Sequence, residues 1–249
     1  MKDKVAFITI HVGANFGSVL QAIATSNIIS SLGKNPLLIN YIPKRVTFKG
    51  YFRRMFSGIK PLIKGLIMLP NFIRNTAIYS SYLKKYCNVS TPIKDEDDFA
   101  KKCPSADYYV TGSDQVWNSK HNEGFNERYY FAQLPKDVVR ISFASSIGEN
   151  SLSDEHAARM KSLLSNYKAI SVREESAKLI IENMGLDNVG INMDTANLIL
   201  YGKANSADAI SAKRFTSAGS NVAAIPSAAG HADCEPPPAS NSSPDFEPR

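Results

Sequence analysis

The sequence predicts an α/β protein built on a Rossmann-like, doubly wound, mostly parallel sheet. Three observations carry this. Residues 4–10 (KVAFITI) form an unbroken apolar, β-branched run, the composition of a strand covered on both faces. Similar runs recur at 36–41, 107–111, 138–144, 169–173 and 189–193. Between them lie segments with helical spacing and recognisable ends, the pattern of a sheet with helices on both sides.

Each element has a local reason. After the first strand comes a turn, His11–Gly17, and then Ser18–Leu32, with Val19, Leu20, Ile23, Ala24, Ile28 and Leu32 at helical spacing and Gly33 as a stop. With 36–41 this makes one βαβ unit. Residues 48–86 alternate apolar groups with Lys and Arg. Pro61 and Pro70 are expected to break them into short helices, packed on the core with cations outward or, as the alternative, laid on a membrane surface. Asp95–Lys102 reads as a short acidic helix. Ser153 caps a helix with Asp154 and Glu155 in its first turn, and Glu174–Met184 is a helix stopped by Gly185. Past about Leu200 the chain turns to Ala, Ser and Pro with few large apolar groups, so 201–249 is expected to be a disordered tail behind a domain at 1–200 with a basic helical insertion at about 44–88.

Composition excludes several classes. With 43% hydrophobic and 21% charged residues among 249, the chain is no collagen, disordered polymer or multi-span membrane protein. Three scattered cysteines, Cys87, Cys103 and Cys234, form neither a disulfide framework nor a zinc site, and no metal-ligand cluster stands out. The apolar run after Lys4 is too short for a signal peptide and ends in His11, so a cytoplasmic location is expected. The net charge of +6 is uneven: no acid occurs between Asp3 and Asp95, a stretch that holds Lys44, Arg45, Arg53, Arg54, Lys60 and Lys64 among other cations. Such a field suits phosphorylated substrates or an anionic membrane.

In open parallel sheets ligands bind beyond the carboxyl ends of the strands. Three segments leave such ends. The first, Gly13–Ser18, offers a helix N-terminus suited to an anion. It matches neither the dinucleotide glycine pattern nor a phosphate-binding loop ending in Gly-Lys-Ser/Thr. The second, Gly112-Ser113-Asp114-Gln115-Val116-Trp117-Asn118, joins a hydroxyl, a carboxylate, two amides and the sole Trp, a mixture suited to a sugar; Asp114 capping a turn and Trp117 filling the core is the alternative. The third is Ser145–Gly148. Arg173 either pairs with an anionic substrate group or with a neighbouring carboxylate, and His11 is either an acid–base group or a structural histidine.

Asn15-Phe16-Gly17-Ser18-Val19-Leu20-Gln21-Ala22, Gly112–Asn118, Ile141–Ser146 and Ile170-Ser171-Val172-Arg173-Glu174 together resemble the polysaccharide pyruvyl transferase family in order and spacing. The resemblance spans roughly 4–195 and implies an enzyme that moves a pyruvyl group from phosphoenolpyruvate to a sugar of a bacterial surface polysaccharide, or its lipid-linked precursor, forming a pyruvate ketal. It implies no cofactor or metal and no nucleic-acid partner; the acid-free basic stretch, not the resemblance, suits peripheral association with the inner face of the cell membrane. It also implies one half of a two-domain, glycosyltransferase-B-like architecture with the active site between halves. The family pattern continues into a second half that is not legible after Asp194–Leu198, so this chain is expected to be a truncated member whose activity alone is in question. On this reading Asp114 is the catalytic base or hydroxyl acceptor, and Asn15, Phe16, Gly17, Ser18, Gln21, Gly112, Ser113, Gln115, Trp117, Asn118, Ser145 and Arg173 bind substrate. A glycosyltransferase using a nucleotide sugar and a non-catalytic membrane-surface module are the alternatives.

Overall fold

The structure, a computed structural model, describes residues 2–12, 15–94, 99–122 and 124–191. The expected tail at 201–249 and the acidic run Asp95–Asp98 lie outside the described residues. In chain order the elements are β1 (Lys4–Ile8), α1 (Phe16–Ser31), β2 (Asn35–Leu38), β3 (Tyr41–Ile42), α2 (Phe48–Met55), α3 (Ile59–Tyr86), β4 (Ile93–Lys94), α4 (Phe99–Lys102), β5 (Tyr108–Asp114), β6 (Val139–Ser145), α5 (Asp154–Leu164), β7 (Tyr167–Val172), α6 (Glu175–Asn183) and β8 (Val189–Ile191).

Six strands pair in the order β2-β1-β5-β6-β7-β8, all parallel, which bears out the α/β, Rossmann-like sheet. Successive residues of β1 serve opposite faces: Val5 and Phe7 pack with Val19, Ala22 and Leu83, while Ala6 and Ile8 pack with the cluster that holds Met160, Leu164 and Ile181. A strand with both faces buried needs the continuous apolar run seen in the sequence. The chain runs from β1 out to β2, then returns across β1 to β5. That reversal leaves a crevice at the carboxyl ends of β1 and β5, where α/β sheets hold ligands.

Several local expectations change. Helix α1 starts at Phe16, earlier than Ser18, because the Asn15 side chain caps it by accepting the Gly17 N–H at 2.9 Å. Its buried face is Ser18, Val19, Ala22, Thr25, Ser26 and Ile29, whereas Leu20, Ile28 and Leu32 are exposed; small side chains let the helix lie close to the sheet. The second strand ends at Leu38, and Tyr41–Ile42 instead pairs with β4 in a separate small sheet. The third strand runs on to Asp114, so Gly112 and Ser113 sit inside a strand rather than after one.

The largest difference is α3. It is one 28-residue helix through both prolines. Pro61 stands in the first turn, where its missing N–H has no acceptor to lose. Pro70 removes an interior hydrogen bond, but the half-buried seam Leu62, Gly65, Leu69, Phe72, Tyr79 and the buried Leu83 continues past it. Gly65 permits α2 to approach, since a Cβ there would come within 2.4 Å of Met55 Cγ. Tyr51 stacks on Phe72 at 4.4 Å between ring centroids and donates its hydroxyl hydrogen to the Gly65 carbonyl at 2.6 Å. Core packing of the whole apolar content of 48–86 does not occur: within α3 only Leu83 is buried.

Candidate functional site at the strand ends

The carboxyl ends of β1, β5, β6 and β7 form one rim. Asp114 lies in register with Ser145, and Ser145 with Val172, so the last residues of three strands stand side by side. The Arg173 N–H continues the row by donating to the Ser145 carbonyl at 3.0 Å. On the other side of the crevice Gln21 of α1 donates through Nε2 to Ser113 Oγ. The Thr9 hydroxyl donates to the Ser113 carbonyl. Motif residues far apart in sequence, Asn15–Gln21 and Ser113–Asp114, are thereby drawn to the same end of the sheet.

The backbone here is unusual. Asp114 has φ +114° and Ala144, next to Ser145 on the neighbouring strand, has φ +50°. Both are sterically costly for residues with a Cβ, and such strain concentrates at functional sites. Asp114 is held by its own chain. Oδ1 accepts the Gln115 N–H at 2.8 Å, and its carbonyl accepts the N–H groups of Val116 at 2.7 Å and Ser146 at 2.9 Å.

The loop after β5 is tied to itself. Asn118 Nδ2 donates to Gln115 Oε1 at 3.0 Å and Asn118 Oδ1 accepts the His121 N–H at 2.9 Å. Asn122 Nδ2 donates to the Val116 carbonyl at 2.9 Å. The loop after β6 packs directly on it: a Cβ at Gly148, whose φ is +63°, would stand 2.5 Å from Asn118 Nδ2. Glu174 fastens that second loop, its Oε1 accepting from Ser146 Oγ at 2.7 Å and from the N–H groups of Ile147 and Gly148 at 3.0 Å each.

These positions sort the residues singled out in the sequence. Asn15, Phe16 and Gly17 are exposed, and Gln21, Asp114 and Gln115 are half-buried at the crevice. Ser18, Gly112, Ser113, Asn118 and Ser145 are buried; Ser145 Oγ donates to the Thr111 carbonyl at 3.0 Å. Trp117 is 3% exposed and stacks on Tyr130 at 5.6 Å, which in turn stacks on Phe125 at 5.0 Å. Its ring therefore lies inside the core with no open face for a sugar. Arg173 Nε lies 3.7 Å from Glu174 Oε2, the neighbouring carboxylate.

Two residues at the rim escaped the sequence reading. Arg45 Nη2 donates to Asn122 Oδ1 at 3.3 Å, so the basic segment before α2 reaches the loop after β5. His121 lies on that loop within electrostatic reach of both Arg45 and Asp114. Partial burial, then the Arg45 charge, hold its pKa below the ordinary 6.5, with Asp114 opposing. No sequence spacing connects positions 45, 114 and 121; only the fold brings them together. Burial raises both Cys87 and Cys103, the latter to about 12, so these thiols stay protonated at neutral pH. Among the described residues no group of three or more His, Cys, Asp or Glu side chains is placed to hold a metal ion.

His11 has the structural role. It is buried beyond the end of β1, with Nδ1 3.0 Å from the Thr9 carbonyl oxygen and Nε2 3.2 Å from Asn40 Oδ1. Burial dominates and lowers its pKa from 6.5, so it is neutral when folded, whereas the unfolded chain takes up a proton near that value. Stability from this group is complete above the unfolded pKa and is lost as pH falls toward the lower folded value. Urea midpoints measured from about pH 8 down to pH 5 are expected to fall, and less steeply in His11→Gln. An unchanged slope in that variant refutes the assignment.

The family comparison meets this geometry from the other side. A family model described as polysaccharide pyruvyl transferase matches residues 15–226, which takes in α1 and its cap, the strand ends of β5, β6 and β7 and the loops between them. No curated protein and no solved structure matches the chain. A match over most of the length, on a fold that gathers the matching motifs at one crevice, places the enzyme class: the chain belongs to the polysaccharide pyruvyl transferase family and is a transferase.

Proposed function

We propose that the crevice between β1 and β5 binds a sugar of a surface polysaccharide, or its lipid-linked precursor, and transfers to it a pyruvyl group from phosphoenolpyruvate. The observation that carries this reading is the convergence of Asn15–Gln21 with Ser113–Asp114, joined through the Gln21–Ser113 hydrogen bond. The chemistry needs a cation for the donor's phosphate and carboxylate, and groups that move protons at the reacting atoms. Arg45, which reaches the loop after β5 through Asn122, is one such cation, and Arg173, engaged by Glu174, is the second. Asp114 accepts a hydrogen bond from the attacking hydroxyl. His121, neutral at working pH, is a base within reach of the same place.

The reaction balances simply. One sugar hydroxyl adds to C2 of phosphoenolpyruvate while its methylene carbon gains a proton. The phosphate then leaves, and a second hydroxyl closes on C2, its proton departing with the phosphate.

The test is release of inorganic phosphate from phosphoenolpyruvate by the folded chain, with galactosyl or mannosyl acceptors. Acceptor-dependent release is the expected result. Tight binding of UDP or GDP by a folded chain that binds no phosphoenolpyruvate overturns the reading in favour of nucleotide-sugar chemistry.

A further inference from the structure

Helix α3 carries two apolar stripes, and the fold uses one. The seam from Leu62 to Leu83 faces α2, α1 and the sheet. Ile59, Ile63, Leu66 and Ile67 recur at helical spacing on another side, and Phe52 and Phe56 at the end of α2 add to them. Ile59 is 79% exposed, Ile67 70%, Phe56 69% and Ile63 56%. A helix with apolar residues beyond its packed face is incomplete in water.

The surroundings of this stripe are cationic throughout. Arg53, Arg54, Lys60 and Lys64 are exposed beside it, and no acidic residue occurs from Lys4 to Lys94. Lys60 and Lys64 share a shallow depression of about 350 Å³ with Ile63, Ile67 and Met68. Long basic side chains can lie along such apolar ground and carry their charge to its edge. A second copy of the chain would set these cations against one another, whereas an acidic lipid surface complements them. No helix among the described residues is long and apolar enough to cross a membrane, and α3 with its packed face fits lying in the interface instead.

We propose that the α2–α3 hairpin seats the protein on an anionic bilayer, its apolar stripe at the headgroup boundary and its arginines and lysines on acidic lipids. The hairpin belongs to the same end of the sheet as the crevice. Phe16, at the start of α1, contacts Tyr79 and Tyr82 of α3 at 5.8 Å between centroids, and Arg45 reaches Asn122. Docking through the hairpin thus sets the strand ends beside the membrane surface. This inference stands whether or not the crevice transfers pyruvyl groups.

The experiment is sedimentation of the full chain with vesicles of phosphatidylcholine alone and of phosphatidylcholine mixed with phosphatidylglycerol, at low and high salt. The expected result is binding to the acidic vesicles, stronger by about tenfold or more and weakened by salt. Two variants, Arg53→Gln with Arg54→Gln, Lys60→Gln and Lys64→Gln, and Ile63→Ser with Ile67→Ser, are each expected to lower it by roughly tenfold. Near-UV circular dichroism of Trp117 verifies that both fold. Equal sedimentation with the two vesicle types, or binding unchanged in the four-cation variant, overturns the proposal. So does a concentration-dependent dimer that Ile63→Ser with Ile67→Ser dissolves, with no vesicle binding by the original chain.

Discussion

Replacing Arg140 with Met is expected to destabilise the protein by about 4 kcal/mol, near the top of what single substitutions do. Arg140 is 3% exposed at the start of β6. Its guanidinium reaches the carbonyls of Phe131 at 3.3 Å, Leu134 at 2.9 Å, Pro135 at 2.7 Å, Lys136 at 3.3 Å and Val138 at 3.2 Å. These oxygens belong to the segment between β5 and β6, which has little regular structure to satisfy them. Burial penalises the charge and lowers the Arg140 pKa, and the fan of acceptors offsets that cost. Methionine fills the volume but withdraws all five donations: the Phe131 and Pro135 carbonyls keep the N–H groups of Leu134 and Val138, whereas those of Leu134 and Val138, half-buried, lose the Arg140 donor.

The effect should reach the rim. The segment held by Arg140 supplies Tyr129, Tyr130 and Phe131, all buried, and Tyr130 is the surface on which Trp117 stacks. Thr111 of β5 donates its hydroxyl hydrogen to the Tyr129 carbonyl at 2.8 Å. Loosening the segment therefore removes the floor under the loop after β5. Arg140→Lys keeps the charge but not the planar fork, and is expected to recover no more than roughly half of the lost stability. Urea unfolding followed by Trp117 fluorescence measures both. An Arg140→Met protein within about 1 kcal/mol of the original would show that the carbonyls find other donors.

Arg140 also marks where sequence reading stops. The strands were legible because burial on both faces writes a local signature, as in KVAFITI, and helix ends because Ser153 and Gly185 act within a few residues of themselves. The crevice was legible in outline, since it follows from parallel strands and the residues at their ends. What was not legible depends on partners far along the chain. An Arg in a strand pattern looks like an exposed charge until the fold wraps five carbonyls around it. Pro70 reads as a break until the seam on either side of it is known to pack. Trp117 beside Asp114 reads as a sugar platform, but only the tertiary position of Tyr130 decides that its ring turns inward. Arg45 and His121 meet through one hydrogen bond from Arg45 to Asn122 and no spacing rule.

Asp114 is expected to separate stability from activity. At φ +114° its Cβ is crowded by its own backbone, a cost of order 1–3 kcal/mol that only glycine avoids. The compensation is local: the carboxylate accepts the following N–H at 2.8 Å. Asp114→Ala loses that bond and keeps the strain, whereas Asp114→Gly loses the bond and relieves the strain. The glycine protein should therefore be the more stable of the two by about 1 kcal/mol, although glycine is normally the worse residue in a strand by roughly that amount. In acceptor-dependent phosphate release both, and Asp114→Asn as well, should fall by about 100-fold or more if the carboxylate takes the hydroxyl proton. Asn is the stringent case, because it matches the shape and accepts the same N–H but cannot act as the base. Full turnover in Asp114→Asn would move the proton transfer to His121. An alanine protein as stable as the glycine one would mean that the strand end relaxes. The combination expected, a glycine variant more stable than the alanine one while both lose activity, is the mark of a backbone strained in order to hold a carboxylate at the crevice.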